Sequence, residues 1–346
     1  MSEYQALLFV SFGGPEGPDD VLPFLENVLR GKNVPRQRML DVAHHYEQFG
    51  GVSPINAQNR ALIAALQAEL SNSGVNLPIY FGNRNWHPLL PDTLRQMAAD
   101  GVTRALAFFT SAYSSYSGCR QYRENIIAAQ AEVGPAAPKI DKLRMFYNHP
   151  AFVETMIERV QAALQHIPPE RRAAAEIVYT AHSIPLAMAA GCQYEAQLRE
   201  TVRLVSDGLH RTPGELVYQS RSGPPTQPWL EPDVCDYLRA RHAKGGLQDV
   251  VIVPIGFISD HIEILFDLDT EAQALCQELG IHMARAQTAG CHPKFVGMIR
   301  ELVQERLGQL AERRWLGQDG PCHDVCPDNC CLSGRPAGPP PAPAAR

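Results

Sequence analysis

The chain has 346 residues, 45% of them hydrophobic and 20% charged, and its formal net charge at pH 7 is −6. These values are ordinary for a globular enzyme, and the length predicts two domains or one large domain. An acidic chain argues against a nucleic-acid-binding protein, whose surface would be basic. Its apolar runs are shorter than the ~18 residues of a membrane span, and its N-terminus lacks the basic region of a signal peptide. We therefore expect a cytoplasmic protein without a transmembrane segment.

Strand-like and helix-like segments alternate along the chain, which predicts parallel sheets covered by helices. In the first half the predicted strands are 6–11, 78–81 and 104–110, and the predicted helices are 19–29, 35–50, 59–70 and 91–99. In the second half the predicted strands are 176–180, 216–219, 250–255 and 279–286, and the predicted helices are 150–165, 193–208, one that begins near 261, and 293–313.

The two halves resemble each other where their strands end. YFGNRNWHP at 80–88 parallels VYQSRSGPP at 217–225, and SFGGP at 11–15 parallels AHSIP at 181–185. We therefore predict an α/β fold of two flavodoxin/Rossmann-like doubly wound domains with a ligand cleft between them. The expected domains are 1–148 and 149–314, followed by a tail over 315–346 that is rich in Cys and then in Pro and Ala.

The segment from Asp249 to Glu271 carries the densest set of chemical groups in the chain. It begins with a β-branched apolar run at 250–255, which predicts a strand buried on both faces. Ser259 or Asp260 is then expected to cap a helix that begins near His261. This arrangement places the start of the helix at a strand's carboxyl end, where open α/β sheets bind their ligands.

Three carboxylates recur every four residues along this predicted helix and so share one of its faces: Glu263, Asp267 and Glu271. Like charges at that spacing repel, so helix stability alone does not favour the pattern. One interpretation is a solvated acidic face near a helix N-terminus, where the helix dipole favours carboxylates. The other is a trail of oxygen ligands that leads a divalent metal to a site at the end of the strand.

His182 follows a predicted strand and precedes Ser-Ile-Pro, so it is expected to project into the cleft. A lone histidine is more often structural, but Glu263 lies at the equivalent strand end of the same domain. A histidine is largely neutral at cytosolic pH and can accept a proton or bind a metal. The pair is therefore the candidate catalytic and metal site.

Several arginines and aromatic residues lie at or shortly after the predicted strand ends. Arginine binds carboxylates through its planar fork, and aromatic faces suit a flat apolar ligand. Neither a Walker loop nor a GxGxxG motif follows the first strand, so nucleotide binding is unsupported. The set favours a planar, multiply carboxylated ligand, although most of its members could be ordinary loop residues: Arg84, Arg120, Arg123, Arg221, Tyr113, Tyr116, Tyr122 and Trp86.

Six motifs together resemble those of the ferrochelatases, which insert ferrous iron into a porphyrin. They are SFGGP, FGGVSPIN, FGNRNWHP, TAHSIP, QSRSGPPTQPWLEP and PIGFISDHIEILFDLD, and they occur in the family's order over about residues 4–310. The chain is most similar to the coproporphyrin ferrochelatases of Gram-positive bacteria, whose product, Fe-coproporphyrin III, is later decarboxylated to haem. The resemblance implies coproporphyrin III and Fe²⁺ as substrates, and a downstream enzyme of haem synthesis as a candidate partner.

The resemblance also implies roles for individual residues. His182 and Glu263 match the family's pair of metal-site residues, and Ser53 and Tyr122 match positions that contact the propionates. Phe12 and Arg84 are further porphyrin-binding candidates. Several relatives have a tyrosine that can ligate iron from the other face of the macrocycle where this chain has Phe12, so ligation from that side is not expected. The acidic path behind the site corresponds to Asp260, His261, Asp267 and Glu271.

Some members of the family carry a [2Fe-2S] cluster on one internal and three C-terminal cysteines. Cys119 corresponds to the internal position here, and Cys322, Cys326 and Cys331 correspond to the terminal set, with Cys330 as a competing thiolate. Four thiolates also make a structural zinc site. The cluster is favoured because only the cluster accounts for Cys119.

The sequence leaves other functions open. Within enzymes, the alternatives are a protoporphyrin IX ferrochelatase and a cobalt chelatase that acts on an earlier tetrapyrrole. A cobalt chelatase would typically use paired histidines, whereas this chain has Glu263 in a specific motif. A non-catalytic haem-binding protein or iron–sulfur sensor on the same fold is the alternative outside enzymes.

Overall fold

A computed structural model describes residues 4–31, 34–224 and 226–334. Two four-stranded sheets, each entirely parallel, form its framework. The first sheet contains β1 (Ala6–Ser11), β2 (Ile79–Asn83), β3 (Arg104–Phe109) and β4 (Lys139–Lys142). The second contains β5 (Glu176–His182), β6 (Glu215–Gln219), β7 (Asp249–Val253) and β8 (His282–Arg285).

The strand order is the same in the two sheets: β2-β1-β3-β4 is repeated as β6-β5-β7-β8. This is the order of flavodoxin-like folds, so the predicted fold class of two doubly wound α/β units is confirmed. It places β1 and β5 at equivalent positions. The carboxyl ends of the strands of each sheet lie along one edge, where the chain leaves each strand.

Helices cover the sheets. Where a helix had been predicted, its observed bounds lie within a few residues of the predicted bounds, except for the last helix. They are α1 (Val21–Leu29), α2 (Arg36–Glu47), α3 (Ile55–Asn72), α4 (Leu90–Ala99), α5 (Gln121–Val133), α6 (Pro150–Leu164), α7 (Leu186–Ala189), α8 (Tyr194–Gly208), α9 (Val234–Ala243), α10 (Ile262–Phe266), α11 (Gln273–Glu278) and α12 (Pro293–Arg306). Short turns of 3₁₀ helix (Pro18–Asp20) and π-helix (Tyr116–Arg120 and Asp267–Ala272) complete the set.

Burial explains why these segments are strands. All six residues of β1 and all five of β7 are buried, as expected for parallel strands covered on both faces. One apolar core is shared by both halves, because Phe295 of α12 packs against Phe108 of the first sheet and Phe152 of α6. The predicted domain boundaries at 148 and 314 stay a prediction, since α12 contacts helices of both halves.

Two elements predicted near the end of the chain are shorter in the structure, and other elements had not been predicted. The strand expected at 279–286 is limited to His282–Arg285, and the helix expected at 293–313 ends at Arg306. β4, α5 and α9 had not been predicted; their faces are only partly apolar, and α5 and α9 show little amphipathic pattern.

The tail after α12 has no helix or strand among its described residues, yet it is ordered by hydrogen bonds to the body. Asn148 exchanges backbone and side-chain hydrogen bonds with Leu316 and Gly320. Of the Pro- and Ala-rich end, residues 335–346 lie outside the described part. Among the described helices, none has both the length and the apolar character to cross a membrane.

Candidate metal centre and cleft

His182 and Glu263 come together at the carboxyl edge of the second sheet. His182 is the last residue of β5, rather than following the strand as predicted, and Glu263 lies in the first turn of α10. β5 and β7 are neighbours, so the two side chains meet, with Nε2 of His182 3.7 Å from Oε1 of Glu263. The side chains are 33% and 46% exposed. A metal or a proton arriving from the cleft could therefore reach both.

Each member of the pair stabilises the charge on the other. Burial lowers the pKa of His182, but the Glu263 carboxylate outweighs this and raises it to about 8. Burial raises the pKa of Glu263, but His182, followed by His261, lowers it to about 2. At neutral pH the pair is therefore mainly an imidazolium beside a carboxylate. Its basicity depends on the negative charge of Glu263.

His261 holds the start of α10 in place. Its Nδ1 atom accepts a hydrogen bond from the Glu263 backbone N–H at 3.2 Å, so His261 is the cap of the helix. The prediction that Ser259 or Asp260 caps it was wrong, because His261 itself has an extended backbone and directly precedes the first helical residue, Ile262. Burial lowers the pKa of His261 below its ordinary value, despite the Glu263 carboxylate 3.6 Å away. Glu263 therefore lies between a protonated His182 and a neutral His261.

The acidic stripe is present, but the helix under it changes form. α10 ends at Phe266, and the backbone continues as a π-turn over Asp267–Ala272, a form that is frequent at functional sites. Asp267 accepts hydrogen bonds from the Ser220 hydroxyl and from Nε2 of Gln219. Burial raises the pKa of Asp267 to about 7, assisted by the negative charge of Glu263. A carboxyl with that pKa can both accept and release a proton at neutral pH.

The remaining acidic residues of the path have different partners. Burial, with the nearby charge of Asp233, raises the pKa of Glu271 at the far end of the stripe. Asp260 forms an ion pair with Arg285, whose Nη1 atom lies 3.3 Å from Oδ1, and its backbone N–H donates to Gln58 at 2.8 Å. Its carboxylate is therefore compensated by a cation rather than joined to the stripe.

On the first sheet, the residues predicted to bind the macrocycle form an aromatic and cationic group. The Arg84 guanidinium lies 5.6 Å from the centre of the Phe12 ring and 4.5 Å from that of Tyr122. It also donates to Oδ1 of Asn125 at 2.7 Å, and burial lowers its pKa. Phe12 is partly exposed, Tyr122 is buried, and Ser53 is buried in the turn before α3. Arg84 therefore supports the two rings as much as it offers a charge.

Other residues of the predicted rim lie elsewhere. Arg120 donates to the backbone carbonyls of Asp328 and Cys330, so it binds the tail. Tyr113 is fully buried, and its hydroxyl donates to the Ile255 carbonyl at 3.1 Å. Arg221 donates to the Gln227 carbonyl.

Two neighbouring residues of α2 reach the metal side from the first half of the chain, and sequence reasoning had missed both. The ring of His45 stacks on Phe266, with centroids 3.7 Å apart and planes 9° apart. Tyr46 is close enough to Glu263 for the carboxylate to add to the rise in its pKa, which burial mainly causes. Only tertiary packing brings α2 here, so its local pattern carried no signal.

The Ferrochelatase family model matches residues 4–307. The chain belongs to the ferrochelatase family. It is thus an enzyme, a metal-inserting chelatase of the lyase class.

The alignments between this ferrochelatase and its relatives cover almost the whole length of both proteins. A ferrochelatase of Rhodopirellula baltica is 62% identical and aligns with 95% of this chain and 93% of its own. Coproporphyrin III ferrochelatases of Streptomyces coelicolor and Nocardia farcinica are 50% and 49% identical, covering 97% and 96% of this chain and 95% and 98% of theirs. A sirohydrochlorin chelatase structure, SirB of Bacillus subtilis subspecies spizizenii in complex with cobalt, superposes with a TM-score of 0.53. At 12% identity over 88% of this chain and 96% of that one, it supports the fold alone.

The ferrochelatase's C-terminal thiols gather beside the first domain. The Cys119 thiol donates a hydrogen bond to Cys326, which holds the pKa of Cys326 well below its usual range, and Lys142 also favours the thiolate there. The sulfurs of Cys330 and Cys331 are 3.4 Å apart. The potential ligand atoms of His323, Cys326 and Cys330 lie within 4.8 Å of one another. The structure therefore brings His323, which the sequence had not indicated, into the group.

Proposed function

We propose that this ferrochelatase inserts ferrous iron into coproporphyrin III and releases Fe-coproporphyrin III for haem synthesis. The observation that carries the proposal is the His182–Glu263 pair, with its 3.7 Å contact at the carboxyl edge of the second sheet. The preference for coproporphyrin III is supported by the names of the relatives from Streptomyces coelicolor and Nocardia farcinica. The relative from Rhodopirellula baltica is named only as a ferrochelatase, so the choice of porphyrin needs its own test.

Metallation requires the removal of two pyrrole N–H protons and a macrocycle bent so that its nitrogen lone pairs face the metal. His182 is placed to accept a pyrrole proton, and the Glu263 carboxylate supplies the negative charge that favours Fe²⁺ at the site. Clamping the macrocycle between the two domains would use binding energy for the bend. Asp267, with a pKa of about 7, is suited to pass the proton onward.

The order of events follows from the charges. While Glu263 is uncompensated, it keeps the pKa of His182 near 8, so His182 holds a proton. A cation that binds at Glu263 cancels the charge that causes this, and burial then favours the neutral imidazole. Arrival of Fe²⁺ would thus free His182 to accept a pyrrole proton. Proton removal is in this way timed to the presence of the metal.

The first domain supplies the surface for the macrocycle. Phe12 offers an aromatic face, and Arg84 with the Ser53 hydroxyl offers groups for the propionates. Phe12 has no ligand atom, so this residue cannot hold iron from the side of the first domain.

The test is a comparison of two substrates in an anaerobic metallation assay with Fe²⁺. Coproporphyrin III has four propionates and protoporphyrin IX has two, and each poorly solvated charge-assisted hydrogen bond is worth ~1.5–3 kcal/mol. We expect coproporphyrin III to be preferred about tenfold or more in kcat/KM. Equal or better use of protoporphyrin IX would identify a protoporphyrin ferrochelatase, and an absence of turnover with both would favour a haem-binding or sensor role.

We also propose that Cys119, Cys322, Cys326 and Cys331 hold a [2Fe-2S] cluster. The proposal is supported by Cys322 and Cys326, which pack beside Cys119, and by Cys331, which is close enough to influence the pKa of Cys119. All-cysteine ligation suits such clusters. Lys142 is buried nearby and would offset the negative charge of the thiolates. Bound there, the cluster would tie the tail to the first domain and could take up an electron.

Analysis of anaerobically purified protein tests the cluster directly. We expect two irons and two acid-labile sulfides per chain, as the cluster's formula requires, with visible absorption that dithionite bleaches. One zinc per chain in a colourless protein would refute the cluster but leave the chelatase unaffected.

A further inference from the structure

We propose that Ser220 is a positioning residue, which fixes the Asp267 carboxylate beside Glu263 and thereby sets how well the enzyme captures its metal substrate. The inference rests on the proposed role of Asp267 in the acidic path. It concerns a residue that has no hydrogen bond to His182 among the described residues and that belongs neither to the metal pair nor to the acidic path itself.

The backbone of Ser220 adopts a conformation that is unfavourable for a serine. Its φ is +61°, in the left-handed region that L-residues other than glycine seldom occupy. Among the described residues, His210 and Cys331 are the other two non-glycine residues with positive φ. His210 is in an exposed turn after α8 and Cys331 is in the tail, so Ser220 alone of the three lies at the carboxyl edge of a sheet. Strain of this kind persists where the surroundings hold it, often at functional sites.

The strained residue directs its hydroxyl to the acidic stripe. The Ser220 hydroxyl donates to Oδ2 of Asp267, and the preceding side chain, Gln219, donates to the same oxygen at 3.2 Å. Nε2 of Gln219 also donates to the Glu263 carbonyl at 3.2 Å. At the end of β6, Gln219 therefore binds both Glu263 in α10 and Asp267 in the π-turn that follows, and Ser220 adds a second bond to Asp267.

Asp267 needs such support because burial and the neighbouring acidic side chains disfavour its charge, and His182 is the one cation among the described residues whose pKa shift shows an attraction to it. Asp267 is largely buried, and the neighbouring Glu263 carboxylate repels it. Both described hydrogen bonds end on Oδ2, and none from a described residue reaches Oδ1. The donors thus fix the carboxylate while leaving one oxygen for a cation or a proton. If the Ser220 backbone left the left-handed region, its hydroxyl would no longer point to the Asp267 carboxylate.

The choice of substitutions separates the hydroxyl from the strain. Ser220→Ala removes the donor and keeps the strain, whereas Ser220→Gly removes the donor and relieves the strain. Ser220→Asn restores a donor in a residue that tolerates the left-handed region. His210→Gly is the matched control, since it relieves the same backbone strain at an exposed turn that the site does not touch. Asp267→Asn tests the role on which the inference depends.

The measurements are KM for Fe²⁺, KM for the porphyrin, kcat and the temperature of unfolding. We expect Ser220→Ala and Ser220→Gly to raise KM for Fe²⁺ about tenfold to a hundredfold, the size for one charge-assisted hydrogen bond, with KM for the porphyrin unchanged. Ser220→Gly should unfold at a higher temperature than Ser220→Ala, and Ser220→Asn should recover most of the affinity for Fe²⁺. His210→Gly should leave all three kinetic constants at their wild-type values.

Two results would overturn the inference, and they are distinguishable. If Asp267→Asn raises KM for Fe²⁺ while Ser220→Gly has the wild-type value, Asp267 acts in the path but Ser220 does not position it. If Asp267→Asn itself has the wild-type KM and kcat, the proposed acidic path fails and the positioning role fails with it.

Discussion

β1 and β5 occupy the same place in two sheets of the same order, yet the residues at their carboxyl ends have opposite chemistry. β1 is followed by Phe12, which lies near a cation, and β5 ends in His182, which lies beside a carboxylate. The neighbouring strands differ in the same way, because β2 leads to Arg84 and β6 leads to Ser220, a partner of Asp267. Strand order therefore determines where a site can form, and the residues at the strand ends determine its chemistry.

The comparison supports the proposal that metal and proton chemistry belongs to the second domain and the macrocycle surface to the first. The proposal also fits the fold, since the site residues of the second domain come from the ends of the adjacent strands β5 and β6 and from the helical segment after β7. Changes in the second domain should therefore have larger effects on turnover than changes in the first.

Glu263→Gln should have the largest effect on turnover. The substitution keeps the size of the side chain but removes the charge that attracts Fe²⁺ and raises the pKa of His182. We expect turnover to fall by at least about a hundredfold, the usual scale for an acid–base group, while the variant still folds and loses only the stability that the ion pair contributes. Anaerobic metallation assays and calorimetry measure the two. Turnover within about threefold of wild type would contradict the proposal that the Glu263 carboxylate of the second domain is needed for the metal and proton chemistry.

Cys119→Ser should have the next largest effect, on colour and on stability. Cys119 is the one cysteine before Cys192, so the cluster can join the tail to the first half only through it. We expect the purified variant to lose its visible absorption and to unfold at a lower temperature, because ligation energy is coupled to folding. Cys330→Ser is the control, and it should keep the colour if Cys331 is the ligand. If Cys330→Ser loses the colour and Cys331→Ser keeps it, the ligand is Cys330 rather than Cys331.

All the described strands except β4 could be predicted from local patterns in the sequence, and the site pair could be predicted from the geometry of a parallel sheet. A run such as 250–255 is apolar at every position, and only a strand covered on both faces requires that. His182 and Glu263 could be paired because the carboxyl ends of parallel strands share one edge. The spacing of Glu263, Asp267 and Glu271 indicated one helical face, and the structure keeps them in one continuous helical segment.

What the sequence could not predict depends on distant residues. Asp260 is paired with Arg285, which lies 25 residues further along the chain, and His45 reaches Phe266 only through the packing of α2 on α10. The π-turn at Asp267 has no known local signal, and the cap by His261 replaced the more usual serine or aspartate. A strained Ser220 cannot be recognised without its backbone angle.

The pH at which His182 loses its proton is a smaller effect that tests the same comparison between the two domains. With a folded-state pKa of about 8 against an ordinary value of 6.5, the ion pair stabilises the fold fully below pH 6.5, and this stabilisation is lost as pH rises through 8. In Glu263→Gln the pKa of His182 should fall, because the largest effect that opposes burial has been removed. NMR titration of the imidazole in both proteins measures this. Equal pKa values would show that Glu263 does not set the basicity of His182.

Phe12→Tyr should have the smallest effect on turnover. Phe12 is 37% exposed, and the substitution adds only a hydroxyl, so we expect the rate to stay within about threefold of wild type. The phenol would add a ligand on the first-domain side, since tyrosine can bind haem iron. The visible spectrum of the bound product after oxidation should therefore change in the variant. An unchanged spectrum would mean that this side of the cleft does not face the iron.

The most direct test of the account measures porphyrin binding and iron insertion separately in His182→Ala. If the first domain holds the macrocycle and His182 serves the metal and the proton, coproporphyrin III should bind with an unchanged Kd by fluorescence. In the same protein, the Soret change that reports Fe²⁺ insertion should be absent, and the protein should still unfold cooperatively, with only the modest loss of stability expected from the missing ion pair. Iron insertion by His182→Ala at a rate near that of the wild type would contradict the account, because the chemistry would then lie elsewhere in the cleft.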